Sequence, residues 1–362
     1  MTDIDLDYLP HLDHNTDYRI GVVGAGFIVR ECHLIAYQKA GFNVVAIASH
    51  TPAHAQKLAA QFDIPKVYDT YEELCADSEI EIVDIAFPPE HQLDVVRAAA
   101  ANEKHILAQK PLAWTYEDAV QIVETAERAG VKLGVNQNMR YDQAVRSVKT
   151  LLNHGLLGEV IVATIELRVL DIPQTYSRGY RCQWMNEDIH HMDCFRYWFG
   201  EPTRIVVSQT RYPDQVFVGE SISLAILEYE GNLRCALWSD TFSWTDDDKY
   251  NRFRIEGPDG IARGTVGWMY HPEGAPSTLD FTFRDRPGVW HRPRWSERWF
   301  PDAFVGTMAQ LMRAIDEDTE PEISGRDNLN SIALALAGYR SVDEGRWVSP
   351  AEILDSYTDL PL

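Results

Sequence analysis

Along residues 18–137, short apolar runs alternate with segments of helical period. Runs at 19–23, 44–48, 82–86, 105–108 and 131–135 are brief and mostly apolar, with Val and Ile prominent. Runs of that length, apolar at nearly every position, fit strands buried on both faces. Between them, 25–40 predicts a helix stopped by Gly41, and Thr51-Pro52 predicts an N-cap followed by proline in the first turn. A further helix is predicted around 92–101. Thr115, with Asp118 three residues on, opens another that ends at Gly130. Strands and helices alternating at this spacing predict a parallel, doubly wound sheet.

After about residue 140 the pattern changes. One helix, 144–153, is followed by strand-like runs at 160–169, 204–210, 221–229, 233–240, 253–256 and 279–283. With few helices between them, these runs should pair largely antiparallel. Helices are predicted at 185–199, 301–315 and 328–342. The expected fold is an α/β N-terminal Rossmann domain at 18–137 plus an α+β C-terminal domain at 138–345 with an open, largely antiparallel sheet. Residues 1–17 are expected to form an N-terminal arm and 346–362 a C-terminal tail.

Composition narrows the function. The 362 residues are 45% apolar, enough for two cores. Lys and Arg number 33 against 55 Asp and Glu, a formal net charge of −22. Such a surplus repels phosphate backbones and anionic lipids, so neither nucleic acid nor membrane is an expected partner. No uncharged apolar run reaches the roughly 18 residues that a membrane helix needs. Five cysteines, at 32, 75, 182, 194 and 235, include no C-x-x-C pair. That fits reduced thiols rather than a zinc or disulfide framework. Residues 1–17 are acidic and polar and do not read as a secretory signal, so a cytoplasmic location is expected.

The candidate chemistry starts at the first predicted turn. Gly24, Gly26 and Val29 fall on the places of G-x-G-x-x-G, after a strand and at the opening of a helix. The first glycine permits the tight turn, and the second lets the backbone approach a pyrophosphate on the positive helix N-terminus. Val29 departs from the third glycine. The second strand ends Ala48-Ser49-His50-Thr51 without the acidic residue that grips an adenine ribose. Ser49, Thr51, His50, His54 and Lys57 are either contacts for a 2′-phosphate or ordinary turn and cap residues. The cofactor is therefore NAD or NADP. Lys110 follows a predicted buried strand at its carboxyl end, where such sheets place ligands. It can bond a carbinol oxygen, stabilise charge or move a proton, and the bland alternative is a solvated lysine before a turn proline.

These features together resemble the glucose–fructose oxidoreductase / inositol dehydrogenase (Gfo/Idh/MocA) family. The resemblance rests on Gly-Val-Val-Gly-Ala-Gly-Phe-Ile at 21–28, Gln109-Lys110-Pro111, Asn138-Met139-Arg140-Tyr141, His190-His191-Met192-Asp193 with Gly200 beyond, and Gly325-Arg326-Asp327. It covers about residues 18–345. Gln109 stands where the family has Glu, and Asn186 where a D-x-x-x-H pattern ending at His190 has Asp. The resemblance implies a dinucleotide held by Gly24, Gly26, Phe27, Ile28, Ser49, His50, Pro88, His91, Gln109, Lys110 and Asn138. It implies catalysis by Lys110 and His190, with His191 in reserve, and substrate contacts from Lys110, Arg140, Tyr141, Trp184, Asn186 and His190.

Helical spacing groups Asn186, His190 and Asp193 on one face and Glu187, His191 and Cys194 on the next. Asp193 either orients an imidazole or supports the helix. Adjacent histidines point to different sides of a helix, so no metal site is expected. The aromatic residues Trp184, Trp238, Trp244, Trp290, Trp295, Trp299, Tyr176 and Tyr180 read as sugar-stacking faces or as packing. The implied activity is hydride transfer between NAD or NADP and a secondary alcohol of a sugar, glycoside or cyclitol. Alternatives are an NAD-dependent glycoside hydrolase and a non-catalytic nucleotide-binding regulator. The resemblance also implies a homo-oligomer, dimer or tetramer, joined through the open sheet face.

Overall fold

The computed structural model describes residues 4–174, 177–245, 249–267 and 275–358. Contacts divide them into two units: 9–138 with 301–332, and 4–8 with 139–300 and 333–358. Tyr176 lies outside the described residues.

In the first unit, β1 (Ile20–Val23), β2 (Val44–Ala48), β4 (Ile82–Ile85), β5 (His105–Ala108) and β6 (Leu133–Val135) lie close to the predicted runs. A short β3 (Lys66–Tyr68) joins them in a six-stranded parallel sheet of order β3-β2-β1-β4-β5-β6. β3 escaped prediction because its three residues carry no buried side chain. Helices α1 (Leu34–Ala40), α2 (Pro52–Phe62), α3 (Tyr71–Ala76), α4 (Pro89–Ala101) and α5 (Tyr116–Ala129) form the crossovers. Thr115 caps α5 by accepting the Asp118 N–H at 3.1 Å, and Gly130 ends it at φ +70°. The strand order reverses between β1 and β4, which puts the binding crevice at the carboxyl ends of those strands.

The second unit opens with α6 (Gln143–Asn153). Its sheet holds β7 (Val162–Arg168), β8 (Arg204–Thr210), β9 (Ile222–Glu228), β10 (Arg234–Asp240), β11 (Tyr250–Glu256), β12 (Gly260–Thr265) and β13 (Thr278–Phe283), in the order β13-β12-β11-β7-β10-β9-β8. Among the described residues, only the β7–β10 pair of this sheet is parallel. The strands alternate buried and more open positions, as expected of a sheet covered on one face. On the covered face Trp198 of α7 (Ile189–Phe199) meets Phe253 of β11 at 5.6 Å. β12, absent from the sequence prediction, contains Gly264, where a Cβ would stand 2.0 Å from the Thr278 carbonyl oxygen. Glycine there lets β12 and β13 approach, and it also hides the strand from pattern reading.

The chain then returns to the first unit. α8 (Ala303–Asp316) buries Phe304, Met308, Leu311 and Met312, and the Val135 N–H donates to the Ile323 carbonyl at 2.7 Å. Residues 301–332 thus complete the first unit, although the sequence pattern grouped them with the second. α9 (Gly325–Glu344) and α10 (Ala351–Thr358) close the chain. No helix among the described residues is long and apolar enough to cross a membrane.

Candidate active site

At the end of β1, the Gly24 N–H donates to the Ala48 carbonyl at 2.8 Å while its φ is +124°. A Cβ at Gly24 would fall 2.6 Å from the Ala86 carbonyl oxygen, so only glycine passes here. Gly26 differs. It is exposed, and a Cβ there would meet no heavy atom within 4 Å. Nothing within the unit requires glycine at 26, which leaves the backbone open to a ligand, as a pyrophosphate on a helix N-terminus needs. Phe27 is 40% exposed and Ile28 half-buried. Val29 is fully buried and begins a wide π-type turn, Val29–His33, ahead of α1. These residues fit a dinucleotide.

A cavity of about 220 Å³ lies beside this turn, lined in part by Ser49, His50, Asp69, Tyr71, Glu72 and Phe87. Ser49 accepts the Thr51 N–H at 3.2 Å, and His50 is exposed. Burial and a hydrogen bond with Glu72 push the Tyr71 phenol up to about 12. Asp69, Tyr71 and Glu72 were missed in the sequence because they follow the unrecognised β3. The signal available was Thr70, which caps α3 by accepting the Glu73 N–H at 3.2 Å.

Past β4, Pro88 precedes α4 and accepts the His91 N–H at 3.0 Å, while the His91 side chain is exposed. Gln92, on the same helix, donates to the carbonyls of Gln109 at 2.9 Å and Pro111 at 3.0 Å. The Gln109 N–H donates to the Ile85 carbonyl at 3.0 Å, and the Gln109 Oε1 accepts the Lys110 N–H at 2.9 Å. The loop bearing Lys110 is thus bonded on both sides, with the lysine half-buried and its bond to Pro111 cis. Asn138 is buried, and its Nδ2 donates to the Asn136 carbonyl at 3.4 Å.

In the second unit a π-type turn, Trp184–Asp188, precedes α7. The extra residue in that turn alters the register assumed for Asn186. Asn186 is half-buried, and its Nδ2 donates to Glu187 Oε1 at 2.8 Å. His190 and His191 are both 2% exposed. The His190 ring stands edge-on to Trp299, 5.4 Å between centroids. His191 Nδ1 is 3.8 Å from Oδ1 of Asp188, whose carboxyl burial raises well above the usual range.

Asp193 instead holds Arg140 at both oxygens, Nε at 2.6 Å and Nη2 at 2.7 Å. Tyr141 is buried below the Arg146 guanidinium, 5.3 Å from centroid to cation. Trp184 is fully buried. Its Nε1 donates to the Ala335 carbonyl at 2.9 Å, and a Cβ at Gly338 would collide with its ring. The wide turn shifts the register that helical spacing assumed, and these partners lie far away in sequence.

The pattern of the oxidoreductase family with NAD-binding Rossmann fold, Gfo/Idh/MocA, matches residues 18–137, and that of its C-terminal alpha/beta domain matches 149–349. The chain belongs to this family. As a Gfo/Idh/MocA oxidoreductase it carries an NAD(P)-binding Rossmann domain, in accord with the two glycines and their surroundings. It is 26% identical over 338 residues to the D-apiose dehydrogenase of Paraburkholderia graminis, covering 91% of this chain and 89% of that protein. It is 25% identical over 340 residues to the inositol 2-dehydrogenase of Rhizobium meliloti, covering 92% and 99%. The fold is shared with an oxidoreductase from Agrobacterium radiobacter solved with NAD+, L-tartaric acid and magnesium, at TM-score 0.81, 23% identity and coverage of 93% and 100%. Among the described residues of this Gfo/Idh/MocA chain, no cluster of three or more His, Cys, Asp or Glu could hold a metal ion.

Proposed function

We propose that this oxidoreductase transfers a hydride between NAD(P) and a secondary alcohol of a sugar, glycoside or cyclitol. The observation that carries the reading is Lys110, fixed at the carboxyl edge of the parallel sheet by bonds from Gln92 and Gln109. Relatives named for D-apiose and inositol, both polyhydroxylated, support the substrate class. Bound NAD(P) supplies the hydride acceptor or donor. In the oxidation, the Lys110 ammonium bonds the carbinol oxygen and stabilises its developing negative charge, while His190 accepts the hydroxyl proton. His191 stands in reserve. Asn186, half-buried with a polar amide, contacts substrate hydroxyls. Arg140, Tyr141 and Trp184, all buried, support the unit from inside.

Asp69 and Glu72 line the same cavity as Ser49 and His50, and their charges oppose a 2′-phosphate. They stand in for the acid missing from β2 and favour NAD. The open face of the second sheet exposes Leu224 at 50% and Ile226 at 46%, which supports association between copies of this chain.

The test is initial rates with NAD+ on a panel that includes D-apiose and myo-inositol, for wild type and Lys110→Ala. Loss of a proton-handling or charge-stabilising group lowers kcat by roughly 10²–10⁴-fold. The NAD+ Kd should change little. A Lys110→Ala enzyme with near wild-type kcat overturns the assignment, and aglycone release without net NAD+ reduction reassigns the chemistry to glycoside cleavage.

A further inference from the structure

Under Lys110 lies a buried polar cluster that the hydride transfer described above does not use. His33, at the end of the wide turn, and Asp84, inside β4, are both fully buried. His33 Nδ1 stands 2.6 Å from Asp84 Oδ2, and the Tyr37 hydroxyl donates to the same oxygen at 2.9 Å. A carboxylate in the middle of a buried parallel strand is costly, and these two donors offset part of that cost. The other imidazole nitrogen, Nε2, faces the amide nitrogens of Gln109 at 3.1 Å and Asn136 at 3.3 Å. Phe304 packs 5.0 Å from the ring.

The Gln109 amide has a defined orientation, because its oxygen takes the Lys110 N–H at 2.9 Å and its nitrogen must then turn toward His33. An amide donor at Nε2 makes that nitrogen an acceptor. The ring therefore donates from Nδ1 to Asp84 Oδ2. The result is an unbroken sequence of bonds from the Lys110 backbone through Gln109 and His33 to Asp84.

We propose that His33 and Asp84 are positioning residues, which act through the Gln109 amide to hold the backbone that carries Lys110. This rests on the reading of Lys110 as catalytic. It also gives a reason for the departure at 109. A carboxylate in place of the Gln109 amide would face the lone pair of Nε2 without the N–H that the amide offers it. With glutamine both ends of the side chain are bonded.

The experiment compares wild type with Gln109→Leu, Gln109→Glu, Asp84→Asn and Lys110→Ala. It measures amide hydrogen exchange at Lys110, NAD+ affinity, thermal unfolding and turnover on the sugar panel. Gln109→Leu removes the acceptor of the Lys110 N–H without touching the backbone bonds from Gln92. Its Lys110 amide should exchange at least about tenfold faster. Its kcat, measured at saturating NAD+, should fall by about tenfold or more, with the unfolding temperature near wild type. Gln109→Glu restores an acceptor and should recover the slow exchange. Asp84→Asn, which keeps an oxygen for His33, should fall between wild type and Gln109→Leu.

If Gln109→Leu leaves exchange and kcat unchanged while Lys110→Ala abolishes turnover, the positioning role is refuted and the role of Lys110 stands. If Lys110→Ala keeps its turnover, the reading of Lys110 falls, and the exchange data alone decide whether the network holds that backbone. A lowered unfolding temperature with unchanged kcat and unchanged exchange in Asp84→Asn and Gln109→Leu would make the network purely structural and overturn the proposal.

Discussion

Replacing Arg140 with methionine tests whether that residue belongs to the substrate or to the protein. Arg140 and Asp193 have side chains 5% and 2% exposed and meet through two bonds, at 2.6 and 2.7 Å. Arg140 lies in the turn before α6 and Asp193 on α7, so the pair ties the entry of the second unit to its central helix. Arg140→Met strands a buried carboxylate with its longer contact to Arg196, at 3.4 Å, and Arg196 is already shared with Glu201 at 2.6 Å. Breaking one side of a buried pair costs about 3–5 kcal/mol. At roughly 2–4 °C per kcal/mol for a unit of this size, the unfolding temperature should drop by about 6–20 °C. Arg140→Met with Asp193→Leu removes both charges, and by calorimetry should lose less than the two single losses added, by about 1–3 kcal/mol. An Arg140→Met protein that unfolds within about 2 °C of wild type while its sugar KM rises would refute the structural role and return Arg140 to the substrate.

Gly24→Ala should misfold or unfold early, since its Cβ meets the Ala86 carbonyl at positive φ, whereas Gly26→Ala should fold normally and lose NAD+ affinity in a titration. Asp69→Ser with Glu72→Gln should narrow the preference for NAD over NADP by about tenfold, roughly 1.4 kcal/mol, in paired Kd measurements; unchanged preference would remove both carboxylates from cofactor choice. Burial raises the Asp142 carboxyl to about 6, against the bonds it accepts from Ser277 and from the Val145 and Ala144 N–H groups. A raised folded pKa stabilises at low pH, fully below about 4, and that contribution is lost as pH rises through about 6. Asp142→Asn should therefore gain on wild type by about 2–3 kcal/mol between pH 4 and 7 in denaturant unfolding.

What the sequence could show was decided by how far away each cause lies. Gly24 is legible because a tight βα turn demands glycine whatever else the fold does, and Lys110 because it follows a strand whose last three residues, Ile-Leu-Ala, are apolar and buried. β3 and β12 were not legible. One is three residues long with no buried side chain, and the other trades side chains for glycine so that its neighbour can approach. Residues 301–332 carry an ordinary amphipathic helix, and nothing in its period says which sheet it will cover.

The site followed the same division. Arg140 and Trp184 entered as substrate contacts through the family resemblance, and Trp184 also read as a stacking face or as packing. Their partners, Asp193 and the Ala335 carbonyl, come from 53 and 151 residues away, and each consumes the group that suggested a ligand. Asp84 gave the opposite kind of signal. In Ile-Val-Asp-Ile, a carboxylate interrupts a run that must be buried on both faces, so the fold has to supply donors for it. Those donors, His33 and Tyr37, sit four residues apart on the first helical segment, where helical spacing already places them side by side. An acid inside a buried strand together with a His-x-x-x-Tyr helix could thus have been joined on the sequence alone. The step beyond it, from His33 to the Gln109 amide and the Lys110 backbone, exists only in the folded chain, because an amide declares its direction only through the atoms on its two sides.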